Sequence, residues 1–128
     1  MIVDDDPDDR LFFQEALNRI NPDYDILEAD SGKSALDLLK TGGALPDYLF
    51  LDIAMPEMDG KLFLKAFNAN KKWKGIPVII CSAGTHRIDK SEMGKLGVSH
   101  FLPKAYSITG LSEGILEAIQ LVDGRKIN

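Results

Sequence analysis

A single cysteine, Cys81, occurs among 128 residues, so no disulfide can form within the chain and a reducing compartment suits it. The two histidines, His86 and His100, lack the companions that a metal site of His and Cys needs and read as surface residues. No apolar run approaches the roughly 20 residues of a membrane-spanning helix. The opening Met1-Ile2-Val3 leads straight into acids and does not read as a signal peptide. Positive charge is the scarcer sign, 15 Lys and Arg against 20 Asp and Glu, for a formal net charge of −5. That balance argues against general nucleic-acid binding, which draws its affinity from phosphate neutralisation. What remains is a cytoplasmic globular protein without a membrane or nucleic-acid partner. Its length is the common size of one domain, expected here over residues 1–128.

What is present is strongly patterned. Phe13, Ala16, Leu17 and Ile20 repeat at helical spacing behind Asp6-Pro7-Asp8-Asp9, which supplies an N-cap, a proline at the first helical position and acids for the first turn. Tyr24–Ala29 reads as a strand. Ala35, Leu38 and Leu39 mark a short helix capped by Ser31 and stopped at Gly42-Gly43. The continuous apolar runs Tyr48–Leu51 and Pro77–Cys81 suit strands covered on both faces, with Cys81 a buried small hydrophobe. Gly60, Phe63, Leu64 and Phe67 mark a third helix, with Lys71, Lys72 and Lys74 at its C-terminal end and Trp73 packed beneath the loop. A thin stripe of Ile88, Met93 and Leu96 gives a weak helix over 85–96, interrupted by Gly94. His100–Leu102 is a short strand, and Ile108 to Val122 carries the best helical stripe in the chain.

The order is (βα)5. Such alternation implies an α/β fold with a parallel sheet and right-handed crossovers, in the flavodoxin-like doubly wound order 2-1-3-4-5. That order puts a site at the carboxyl ends of strands 1 and 3. Strand 1 ends in Asp4-Asp5-Asp6, strand 3 in Asp52, strand 4 in Ser82, and strand 5 runs into Lys104. Five acids fall between Asp4 and Asp9; Asp6, Asp8 and Asp9 are taken as helix-start residues only. Two carboxylates ~4 Å apart repel by on the order of 4 kcal/mol at an effective dielectric near 20, so the cluster calls for protons or a cation. Oxygen-only ligands select a hard ion, and Mg2+ fits a small site that keeps water for a phosphorylated ligand. A phosphoryl group on Asp52 could bind that ion, accept from Ser82 and pair with Lys104.

The strings Val3-Asp4-Asp5-Asp6-Pro7, Leu51-Asp52-Ile53-Ala54-Met55-Pro56-Glu57-Met58-Asp59-Gly60, Val78-Ile79-Ile80-Cys81-Ser82-Ala83 and Phe101-Leu102-Pro103-Lys104 resemble the signatures of bacterial response-regulator receivers, in order and over essentially the whole chain. The resemblance implies that Asp52 is the phosphoacceptor, attacking the phosphohistidine of a sensor histidine kinase or phosphotransfer protein. It implies that Asp4 and Asp5 hold Mg2+, with Asp5 the more direct ligand, joined by Asp52 and the backbone carbonyl of Ala54. Ser82 would move toward the phosphoryl group, Lys104 would ion-pair with it, and Phe101 would follow Ser82, switching a protein-interaction face over 85–122. Output would pass to a separate downstream target protein, and whether the same face pairs two copies is left open.

Two departures stand out. Ala105 follows Lys104 where most receivers carry proline after a cis peptide; a non-proline cis bond costs ~2.5–4 kcal/mol, and both isomers stay open. Ala54 and Gly84, at positions tied to dephosphorylation in the family, are both small. A phosphatase of the haloacid-dehalogenase type would need a second acid two residues beyond Asp52, where Ala54 stands. A phosphorylation-independent interaction module predicts loss of an active-site group, and none is lost. A flavin site would want a Ser/Thr/Gly phosphate loop after strand 1, where acids stand instead.

Overall fold

The computed structural model describes residues 1–41, 43–53, 55, 60–82 and 90–127. The chain runs β1 (Ile2–Val3), α1 (Pro7–Ile20), β2 (Glu28–Ala29), α2 (Gly32–Thr41), β3 (Leu49–Asp52), α3 (Gly60–Asn68), a 3-10 turn (Lys71–Trp73), β4 (Val78–Ser82), α4 (Lys90–Lys95), β5 (Val98–Pro103) and α5 (Ile108–Ile127). All strand pairs are parallel and the order is β2-β1-β3-β4-β5, the expected doubly wound arrangement.

Strand side chains alternate between faces, and the sheet separates two cores. Val3, Leu49, Leu51, Val78 and Ile80 pack with Ala35, Leu39, Phe63, Leu64, Phe67 and Met93 beneath α2, α3 and α4. Ile2, Phe50, Ile79, Cys81 and Leu102 pack with Phe13, Ala16, Leu17, Leu111, Ile115 and Ala118 beneath α1 and α5. Small residues bring these last two helices together: Ala16 and Ala118 are fully buried, and the Ser112 hydroxyl donates to the Ala16 carbonyl at 3.2 Å and to Ile108 at 2.8 Å. The far end of α5 is tied to the sheet by Tyr48, whose hydroxyl donates to Asp123 at 2.8 Å.

Local signals act as expected at most ends. Asp6 caps α1, its carboxylate accepting from the Asp8 N–H at 2.9 Å, and Ser31 Oγ accepts from the Ser34 N–H at 3.0 Å ahead of α2. Gly60 opens α3 against Ile53: a Cβ there would lie 3.3 Å from Ile53 Cα and collide with its side chain. Glycine thus permits α3 to start hard against the segment leaving Asp52.

Several bounds differ from the sequence reading. The second strand is Glu28–Ala29 rather than Tyr24–Ala29 because β1 offers only Ile2 and Val3 to pair with. The fifth runs from Val98 to Pro103, longer than His100–Leu102, because β4 gives it a full ladder. Gly94 lies inside α4, a six-residue helix, without ending it; the earlier part of the expected 85–96 helix, through residue 89, lies outside the described residues. The lysines near Trp73 do not close α3 but form a separate turn capped by Asn70, while Trp73 is buried and stacked on Phe67 at 5.7 Å. His100 is half-buried on β5 rather than on the surface. Among the described residues, no helix is long and apolar enough to cross a membrane.

Candidate phosphorylation site

Sheet register delivers the site. Asp4 follows β1, its N–H donating to the Ala29 carbonyl at 3.0 Å, and its own carbonyl accepts from Arg10 Nη1 at 2.8 Å. Asp52 is the last residue of β3 and pairs in register with Cys81, one position before Ser82 closes β4. Ser82 is half-buried and pairs with Pro103; its carbonyl accepts from the Lys104 N–H at 2.8 Å. Strand ends far apart in the chain therefore meet at one edge of the sheet.

Carboxylate oxygens of Asp4, Asp5 and Asp52 all lie within 4.8 Å of one another. Asp4 and Asp52 are buried and Asp5 is exposed. Lys104 Nζ sits among them, 3.4 Å from Asp4 Oδ2, 3.4 Å from Asp52 Oδ2 and 3.0 Å from Asp9 Oδ2. Burial pushes the Asp4 carboxyl up to about 6; the Asp6 N–H and Lys104 oppose that rise, while Asp52 and Asp9 add to it. Burial alone would lower the Lys104 ammonium, but the hydrogen bond to Asp9 and the charges of Asp4, Asp52 and Asp9 outweigh it and hold the lysine above its ordinary value.

Four carboxylates against one ammonium leave a negative, partly buried cluster of oxygen donors, the chemistry that a hard divalent cation fits. Asp4, Asp5 and Asp52 are the side chains that could hold it. The fourth expected ligand, the Ala54 carbonyl, lies outside the described residues, as do Asp59, Gly84 and His86. Phe101 is half-buried on β5 against the α3–α4 core, with Lys90 Nζ 5.5 Å from the centre of its ring. There is no cis peptide among the described residues, so Lys104–Ala105 is trans, and Lys104 reaches the acids in that isomer.

Two residues of the site were not anticipated. Asp9 is more than a helix-start acid, since it makes the shortest of the three contacts to Lys104. The available signal was its position one turn past Asp5, on the helix that the strand-end acids lead into. Arg10 was missed as well, and its guanidinium also lies 3.6 Å from Glu28. Beside the cluster, a cavity of ≈ 380 Å³ is lined by Phe12, Phe13, Phe50, Leu102 and Leu111 together with Asp4, Asp52, Lys104 and Tyr106; Tyr106 is 98% exposed.

Residues 1–116 match the family described as response regulator receiver domain. The chain belongs to that family. The receiver is 31% identical over 124 residues to the Chemotaxis protein CheY of Pseudomonas aeruginosa, covering 97% of this chain and 98% of the relative. It is 30% identical over 119 residues to a Chemotaxis protein CheY homolog of Campylobacter jejuni, covering 93% and 90%. It is also 29% identical to the Sensor histidine kinase CheAY of Helicobacter pylori, where it spans only 15% of that protein's length and 94% of its own. Among solved structures, the CheY-like receiver domain protein of Methanospirillum hungatei is similar at a TM-score of 0.74 and 28% identity, with 96% of this chain and 95% of that one covered. The bacteriophytochrome response regulator AtBRR is similar at 0.78 and 25% identity, with 94% and 88% covered. A receiver is a switch in two-component signalling rather than a turnover enzyme, and it implies a histidine kinase partner. The family assignment displaces the phosphatase reading.

Proposed function

We propose that Asp52 accepts a phosphoryl group from the phosphohistidine of a sensor histidine kinase or phosphotransfer protein, with Asp4, Asp5, Asp52 and the Ala54 carbonyl holding Mg2+. One observation carries the reading: Lys104 Nζ stands 3.4 Å from Asp52 Oδ2 at the edge where Asp4 and Asp5 also converge. An Asp52 oxygen attacks phosphorus, the P–O bond forms as the P–N bond to the donor imidazole breaks, and the imidazole leaves and regains its proton balance with solvent. When bound, the divalent ion supplies charge neutralisation for the transferring group. Lys104 pairs with the phosphoryl oxygens and the Ser82 hydroxyl donates to them.

The modified Asp52 carries roughly −1.5 to −2 charge. Ser82 moves toward it and Phe101 follows, loosening its contact with Lys90 on α4 and altering the 85–122 surface that a downstream target protein reads. Residues 1–128 act as one cytoplasmic receiver module, and the same surface is the one on which a homodimer would form.

The test is intact mass after incubation with acetyl phosphate, with and without Mg2+. The wild type gains one phosphoryl group only with the metal, and Asp52→Asn gains none. A wild type that gains no mass, or an Asp52→Asn protein that still does, overturns the reading.

A further inference from the structure

Lys104 has three N–H donors and three carboxylate partners, and these partners are not equivalent. Asp4 and Asp52 side chains are each 8% exposed, whereas Asp9 is 44% exposed, yet Asp9 makes the shortest contact, 3.0 Å against 3.4 Å for each of the others. Giving up Asp4 would strand a buried carboxylate, which is costly. Giving up Asp9 returns a half-exposed one to water, which is cheap. Asp9 is also fixed in place. It lies in the first turn of α1, behind the Asp6 cap and Pro7, where an acid is favoured by the helix dipole.

We propose that Asp9 is a positioning residue that holds Lys104 in reserve, so that phosphorylation of Asp52 transfers the lysine from Asp9 instead of forming its first ion pair. The proposal rests on Asp52 being the phosphoacceptor. Before phosphorylation, Asp9 restrains the ammonium at the α1 side of the cluster and adds one negative charge to a site that an anionic donor must approach. Both effects oppose transfer, and both disappear when Asp9 is neutral. Removing Asp9 therefore speeds phosphorylation and, because Asp4 alone is left to draw the lysine back, lengthens the life of the phosphoryl group.

Asp9→Ala is compared with Asp8→Ala, which removes an acid of the same helical turn that is not among the Lys104 partners. With acetyl phosphate and Mg2+, Asp9→Ala is expected to be phosphorylated about threefold to tenfold faster than wild type, and Asp8→Ala within about twofold of it. Asp9→Glu, which keeps the charge and lengthens the arm, returns the rate toward wild type. The second readout needs neither metal nor donor: the Lys104 ammonium gives an observable proton–nitrogen NMR signal when carboxylates slow its exchange with water. That signal persists in Asp8→Ala and broadens in Asp9→Ala. Equal acceleration in both alanine variants, or an unchanged lysine signal without Asp9, overturns the proposal. A wild type that takes up no phosphoryl group at all overturns instead the assignment of Asp52.

Discussion

On the face covered by α2 and α3, Leu49, Leu51, Phe63, Leu64 and Ile80 are completely buried, and Phe63, Phe67 and Trp73 stack in succession. The face under α1 and α5 is filled less completely. It carries the ≈ 380 Å³ cavity beside the acidic cluster and, toward the opposite end of the strands, a cleft of ≈ 670 Å³ lined by Leu17, Tyr24, Ile26, Tyr48 and Ile119. The α1–α5 face also holds Asp9 and the Lys104–Tyr106 segment. The tightest packing lies on one side of the sheet and the open volume beside the acidic cluster on the other, and the tolerance to change should differ with them.

The strongest challenge to that separation is Phe63→Ala. On the packed face it should cost about 3–5 kcal/mol of unfolding free energy, read by urea denaturation, while the folded fraction still takes up phosphate at Asp52. If phosphorylation of the folded protein fell as steeply as stability, the division between faces would not hold.

Next in size is Asp4→Asn, which should move stability and metal binding in opposite directions. Asp4 titrates near 6 in the fold against a reference of 3.8, so the native state holds a proton that the unfolded chain has released. Stability of the metal-free protein therefore falls as pH rises from about 4 through about 6, and below that window Asp4 contributes no such penalty. Asp4→Asn should accordingly stabilise the metal-free protein by about 1–3 kcal/mol at pH 7 and change little at pH 4, while Mg2+ affinity collapses. A gain of the same size at both pH values would disconnect the effect from the buried charge.

The smallest expected effect sharpens the comparison most directly. Leu64 and Leu111 are both buried leucines, on opposite faces. Leu64→Phe should overpack its core and cost about 1–3 kcal/mol, whereas Leu111→Phe can grow into the cavity it lines and should cost less than about 1 kcal/mol. Matching thermal denaturation shifts for the two variants would show that the faces are equally tight.

The topology and the gathering of Asp4, Asp5, Asp52 and Lys104 were readable in the sequence because they follow from order alone. Once strands are parallel and wound in sequence, whatever ends each strand shares an edge. Strand lengths were less readable, since a ladder extends only as far as its neighbour, and β2 shows the effect where β1 offers just Ile2 and Val3. Asp9 was misread for a related reason. Its helix-start role is local and visible in Asp6-Pro7-Asp8-Asp9, but its contact with Lys104 spans 95 positions and depends on how far α1 leans over the sheet edge. Arg10 was missed on the same grounds, because its partners are the Asp4 carbonyl just past β1 and Glu28 at the start of β2, on two neighbouring strands.

Trp73, the sole tryptophan, has a practical consequence for anyone observing this protein by light. It lies ahead of Val78, where β4 begins, while the acidic cluster lies at Ser82, where that strand ends; the strand between them spans about 13 Å. Its indole is buried and stacked against Phe67. Intrinsic emission will track melting of the fold and stay silent when the switch is thrown, so a reporter of signalling has to be installed at the other end of the sheet.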